Sequence, residues 1–314
     1  MKSFLLSALA AATATTATDL LLPLYQYPAN NGGAWSPIEQ ALTANPSLMA
    51  KIIINPQNGP GSSPGTGLDD PQYVAGAKAL AAHPNAQLLG YIHTSTDFGL
   101  TRCNRPYAEL VADIRKWSAW VDAGIAIRGI FVDEAPTNSA NDCVAYMRNL
   151  TTFIRGDTTT LHFATPRLLV FNPGGTGALQ PYYDMQPDLI VALETCFTVP
   201  EKAGGDYDQC PTTGGYERYD HDGAGSSIDN VLFPAVGSAN AARTAVLVHG
   251  FHDYNGPSAN LSATASGVLA QLVQAVVQRG IGATFFNTAG YHTFTDGPAS
   301  IGAVAGVLRA ANGN

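Results

Sequence analysis

Charge is scarce in this 314-residue chain: Asp, Glu, Lys and Arg together make up 13% of it, with 16 basic residues against 24 acidic ones. No run of Lys or Arg occurs and the formal net charge is −8. Both facts argue against a nucleic-acid partner, whose phosphates demand a basic footprint. Long apolar runs are missing too. The opening MKSFLLSALAAATATTA holds one Lys, a short apolar stretch and then small residues, too short to cross a bilayer. It reads as a secretory signal over residues 1–18, ahead of one domain over 19–314; an apolar N-terminal strand or helix is the alternative. The C-terminal IGAVAGVLRAANGN is broken by Arg309 and ends polar, a poor match to a lipid-anchor tail. A secreted protein, extracellular or at the cell surface and without a membrane partner, is therefore expected.

Cysteine is rare, and no close Cys-x-x-Cys spacing is present, which disfavours structural zinc. The four thiols are Cys103, Cys143, Cys196 and Cys210. An even count in an exported protein suggests two disulfides, and the pairs Cys103–Cys143 and Cys196–Cys210 would each tie loops on neighbouring strand–helix units. The sequons Asn149-Leu-Thr and Asn260-Leu-Ser suit the same compartment. No Gly-x-Ser-x-Gly elbow occurs, so serine nucleophile chemistry is poorly supported. The Gly/Ser/Pro stretch over residues 58–67 lacks the Lys-Ser/Thr ending of a phosphate loop.

Eight short, nearly continuous apolar runs are present: LLLPLYQYP, KIIINPQ, QLLGYIHT, GIFVDEAP, RLLVFNPG, LIVALETC, AVLVHGF and ATFFNTAG. Runs of this kind suit parallel strands covered on both faces. Between them, Leu110, Val111, Ile114, Trp117 and Val121 recur at helical spacing, as do Val268, Leu269, Leu272, Val273, Val276 and Val277. Gly124 and Gly280 close two such stretches, and QPYYDMQP leaves room for only a short helix. Repeated strand–helix units in this number predict an α/β fold, a single (β/α)8 TIM-type barrel, with a doubly wound open sheet as the alternative.

In such a barrel, reactive groups gather at the carboxyl ends of the strands. Those ends carry Tyr25 and Tyr27, Asn55, Tyr91 and His93, Asp133 and Glu134, Asn172, Glu194, His249 and Asn287. Two ends hold carboxylates, and glycosidic hydrolysis requires a pair of them. One protonates the leaving oxygen while the other attacks the anomeric carbon or activates water. Crowded carboxylates also split their pKa values, because like charges resist joint ionisation. Consecutive strand residues point to opposite sides, so ideal geometry would admit only one of Asp133 and Glu134 to the barrel axis. A structural reading remains: these acids cap helices or bridge to Arg128 or Arg167. His249 and His252 raise a metal reading, as in polysaccharide deacetylases, beside a hydrogen-bonding or core role for His249. Aromatics including Trp35, Tyr182, Tyr183, Phe197, Tyr219 and Phe251 fall in the predicted mouth loops, as a sugar-stacking cleft would need, though surface tyrosines often only pack loops. The segment after Glu194 is acidic, which favours a cationic partner such as a partly deacetylated amino-sugar polymer.

In their order, LLLPLYQYP, IIINPQNGPG, LLGYIHT, GIFVDEAP, LVFNPG and ALETCF resemble the spherulin-4 family, part of which is classed as glycoside hydrolase family 135. The resemblance covers nearly all of the chain after the leader. It implies a (β/α)8 barrel and, from characterised fungal members, cleavage of galactosaminogalactan at α-1,4-linked N-acetylgalactosamine. The family's adjacent Asp-Glu pair falls on Asp133 and Glu134, and its later catalytic Glu on Glu194. The expectation is an endo-acting hydrolase, monomeric and without cofactor or metal. Glu194 would be its general acid/base, Asp133 its nucleophile and Glu134 a tuning group. Attack by the substrate's own N-acetyl oxygen is the mechanistic alternative. A non-catalytic glycan-binding wall or surface protein and a metal-dependent polysaccharide deacetylase are the functional ones.

Overall fold

The computed structural model describes residues 17–61, 67–97, 101–137, 143–175, 177–178, 180–197, 218–219, 227–249, 251, 263–287 and 300–313. The strands form where the apolar runs predict them: β1 (Asp19–Leu24), β2 (Ala50–Ile54), β3 (Ala86–His93), β4 (Ile127–Asp133), β5 (Leu168–Phe171) and β6 (Leu189–Phe197). A two-residue β7 (Arg218–Tyr219) hangs on the edge of β6, and β8 (Thr244–His249) and β9 (Ala283–Phe286) follow. Pairing is parallel throughout and closes on itself through β1–β9 and β5–β6. The eight predicted strands thus make a barrel rather than an open sheet, with β7 as an addition.

Helices α1 (Ser36–Ala44), α2 (Pro71–Ala81), α3 (Tyr107–Asp122), α4 (Cys143–Gly156), α5 (Gln180–Asp184), α6 (Phe233–Val236), α7 (Ala263–Gln278) and α8 (Ile301–Ala311) lie between or after the strands. Their starts and stops follow local chemistry. Asp70 caps α2 by accepting from the Gln72 N–H at 2.8 Å, with Pro71 in the first turn. Gly124, at φ +80°, follows the end of α3. The five-residue α5 is the short helix that QPYYDMQP allows.

The core is one continuous apolar cluster spanning strands and helices. Helix α3 lies close against β3 because Gly90 has no side chain: a Cβ there would sit 2.4 Å from the Trp117 ring. The Trp117 indole N–H donates to the Tyr91 carbonyl at 2.8 Å, which satisfies a buried polar group and fixes β3 just below the mouth. Opposite the mouth, Lys51 pairs with Asp19, and Thr18 is clasped by Asn312 and by the Ile281 carbonyl. Thr18, just ahead of β1, is fully buried.

The Cys103–Cys143 disulfide is present and joins the loop after β3 to the start of α4. Cys210 of the expected Cys196–Cys210 pair lies outside the described residues, as do residues 1–16 of the expected signal segment, His252 and residues 62–66 of the glycine-rich loop. Several aromatics assigned to the mouth by sequence pack the interior instead. Trp35 is buried and donates its indole N–H to the Gln26 carbonyl, while the Tyr183 hydroxyl meets Thr244 at the start of β8. Tyr182, Tyr219 and Phe251 are likewise buried.

Candidate active site

Asp133 ends β4, level with His93 on β3. Its two oxygens are held by different strands: the Tyr91 hydroxyl donates to Oδ2 at 2.6 Å, and Asn172 Nδ2 donates to Oδ1 at 2.9 Å. Burial, and then the charge of Glu194, pushes the Asp133 carboxyl up to about 6, against the hydrogen bond from Tyr91. Tyr25 packs edge-on to Tyr91 with ring centroids 5.7 Å apart. Its hydroxyl is held well above the ordinary tyrosine range by burial and by the charges of Asp133 and Glu194. Residues from β1, β3, β4, β5 and β6 therefore act on one another at a single point.

Glu134 escapes the alternation that would turn it away from the mouth because it has left the strand. Its φ is +53°, a left-handed backbone that costs a non-glycine residue energy. Neighbours hold it there. The Thr94 N–H donates to the Asp133 carbonyl and the Thr94 hydroxyl to the Glu134 carbonyl, while Asn172 and Ala135 stitch the other flank. The Glu134 carboxylate lies 3.5 Å from His93 Nδ1, which also contacts the Ser95 carbonyl at 2.7 Å.

Glu194 lies on β6 and is 1% exposed. Its Oε1 is 2.9 Å from His249 Nε2 at the end of β8, and His249 is itself 3% exposed. A buried carboxylate needs such a partner, since an unpaired one loses its hydration without compensation. His249 is thus the orienting neighbour of an acid. The Arg167 alternative for the acids does not hold: its guanidinium donates to the Ile154 and Leu161 carbonyls.

Of the eleven residues singled out by sequence, Asp133, Glu134, Glu194, Tyr25, Tyr91, His93, Asn172 and His249 are joined by contact or by charge. Asn287 is buried just past β9, its backbone bonded to Val248 and Phe251. Two others are held by groups outside the cluster. The Tyr27 hydroxyl donates to Asp70 at the start of α2, and Tyr27 is 50% exposed. The Asn55 side chain accepts from the Gly59 N–H and so shapes its own loop. Sequence reasoning passed over Arg102 and Gly174, which border the cluster from loops. Their one signal is local: Arg102 adjoins a disulfide cysteine, and Gly174 sits in the NPGG that follows β5.

Fold and site together define a (β/α)8 barrel protein with an acid cluster at the carboxyl ends of its strands. The profile of spherulation-specific family 4 matches residues 19–305, and the chain belongs to that family. No functionally curated protein matches it. Among solved structures it is similar to Aspergillus clavatus Sph3, determined in complex with GalNAc: 23% identity, TM-score 0.69, over 93% of this chain and 98% of that one. A trimodular GH5_4 subfamily endoglucanase is also similar, at 13% identity and TM-score 0.51, over 94% of this chain and 60% of that one. These likenesses bear on the fold, which is the barrel predicted from the eight runs.

Proposed function

We propose that the protein is a secreted, endo-acting glycoside hydrolase of an amino-sugar polysaccharide, of the galactosaminogalactan type, cleaving at α-1,4-linked N-acetylgalactosamine. The observation that carries this reading is the coupled pair Asp133 and Glu194: two carboxyl groups from different strands, close enough that the charge of one raises the pKa of the other. Glycosidic cleavage needs one carboxyl that holds a proton and one that does not. The Sph3 complex with GalNAc supports an amino sugar, and the Cys103–Cys143 disulfide supports an oxidising, extracellular compartment.

The proton is better given to Asp133 than to Glu194, the reverse of the assignment expected from sequence. Asp133 has the raised pKa and keeps a proton to about pH 6. It donates that proton to the leaving oxygen. Glu194, oriented by His249 through Oε1, presents its other oxygen to the sugar side as base toward the attacking water. Glu134 adds a smaller charge effect that keeps the Asp133 pKa high.

The test is to incubate purified protein with galactosaminogalactan and count new reducing ends, with Asp133→Asn and Glu194→Gln as controls. Both substitutions keep size and hydrogen-bonding capacity, so both should fold and both should lose at least about 100-fold in kcat. Undiminished release by both variants contradicts the site. Chelator-sensitive release of acetate without new reducing ends would point to a deacetylase, and binding without any release to a glycan-binding protein.

A further inference from the structure

The loop after β5 runs beside the acid cluster. Gly174 lies there at φ +62°, and its N–H donates to Asn172 Oδ1, the same Asn172 whose amide holds Asp133. A Cβ at Gly174 would stand 4.0 Å from a terminal nitrogen of Arg102 and 4.0 Å from Oε2 of Glu194, with nothing nearer among the described residues. These are a cation and an anion facing the same small space, yet among the described residues they form no ion pair with each other. Glu194 spends its other oxygen on His249. Arg102 is half-buried, and among the described residues its guanidinium has no hydrogen-bond or ion-pair partner. Its loop is anchored by the neighbouring Cys103–Cys143 bridge.

A group placed between these two must offer an acceptor to the guanidinium and a donor to the carboxylate, and it must be flat and short enough to lie over a glycine. A secondary amide meets all three conditions: its carbonyl accepts from Arg102 and its N–H donates to Glu194. A free ammonium meets only one, since it satisfies Glu194 but leaves a second positive charge against Arg102 with no acceptor for its N–H groups. We propose that Arg102, over the floor made by Gly174, is a specificity-determining residue that reads the N-acyl group of the sugar beside Glu194 and rejects the de-N-acylated sugar there. The inference rests on the hydrolase reading for the choice of sugar. It limits the cationic-polymer expectation, because deacetylated units would bind only at other subsites along the cleft.

Binding separates this inference from the hydrolytic one. Calorimetric titration of Asp133→Asn with an N-acetylgalactosamine oligomer and with its chemically de-N-acetylated counterpart should favour the N-acetylated oligomer by at least about tenfold in Kd, roughly the weight of one charge-assisted hydrogen bond. Adding Arg102→Ala should erase most of that preference by weakening the N-acetylated oligomer selectively, and Arg102→Lys, which keeps the charge but not the planar fork, should fall between. Equal binding of both oligomers, no binding of either, or a preference that survives Arg102→Ala would overturn the inference. If the preference behaves as stated while wild type releases no reducing ends, the hydrolase reading fails and this one stands.

Discussion

At the scale of single residues, the site holds groups that stability alone would not select. Asp133 carries a raised pKa, so its folded form binds a proton more tightly than the unfolded chain does. Any stabilisation linked to that proton is full below about pH 4 and is lost as pH rises through about 6. At pH 7 the ionised carboxylate should therefore weaken the fold by about 1–3 kcal/mol. Asp133→Asn removes that charge and still offers Oδ1 to Asn172 and a donor to Tyr91. Its urea midpoint should exceed that of wild type at pH 7, and the gap should close at pH 4. A gap that is absent at pH 7, or that widens on acidification, contradicts the burial argument. His249 behaves in the opposite sense. His249→Ala would leave Glu194 buried without its partner, so a loss of about 3 kcal/mol is expected, while His249→Gln should recover part of it. Equal midpoints for the two variants would show that the contact does not support Glu194.

The acids could be read from sequence because each follows an apolar run whose place in the core was plain. What the run could not tell was direction. Tyr27 and Asn55 stand beyond strand ends just as Asn172 does, yet they turn to Asp70 and to the Gly59 N–H. Glu134 reaches the cluster only through a positive φ that no spacing rule foresees. Arg102 and Gly174 were missed because they lie on loops, where neither apolar period nor strand alternation says what a side chain faces.

Elements matter through how closely they can approach. The mouth residues of β3 are fixed by α3, which presses on Gly90 and bonds the Tyr91 carbonyl through Trp117. Gly90→Ala forces the new methyl group into the indole ring and should cost about 1–3 kcal/mol by overpacking. Because Tyr91 holds Asp133, activity should fall further than the population of folded chain explains; thermal melts and kcat measured on the same preparation check this. An unchanged melting temperature would mean that α3 can move away freely. Helix and strand existence was legible here because Leu110, Ile114 and Trp117 share one face and β3 carries the apolar run from Leu88 to Ile92. The intimacy of the contact was not, since it depends on the absence of a single methyl group.

For the molecule as a whole, closure of the barrel is what turns scattered residues into a site. Strands β4, β5 and β6 lie side by side in parallel, so that Asp133, Asn172 and Glu194, distant in sequence, end at one rim. The count of eight runs predicted this closure, and the extra β7 could not be foreseen because two residues carry no periodicity. If Asp133 and Glu194 work as one unit across that rim, the charge of one must be felt in the titration of the other. Carboxyl carbon NMR of Asp133, followed through pH in wild type and in Glu194→Gln, measures this directly. The expected result is a pKa of about 6 in wild type that falls in the variant but stays above the ordinary carboxylate range, because burial, the larger cause, remains. An ordinary pKa in wild type, or one that Glu194→Gln leaves unmoved, would contradict the coupled pair on which the proposed hydrolysis depends.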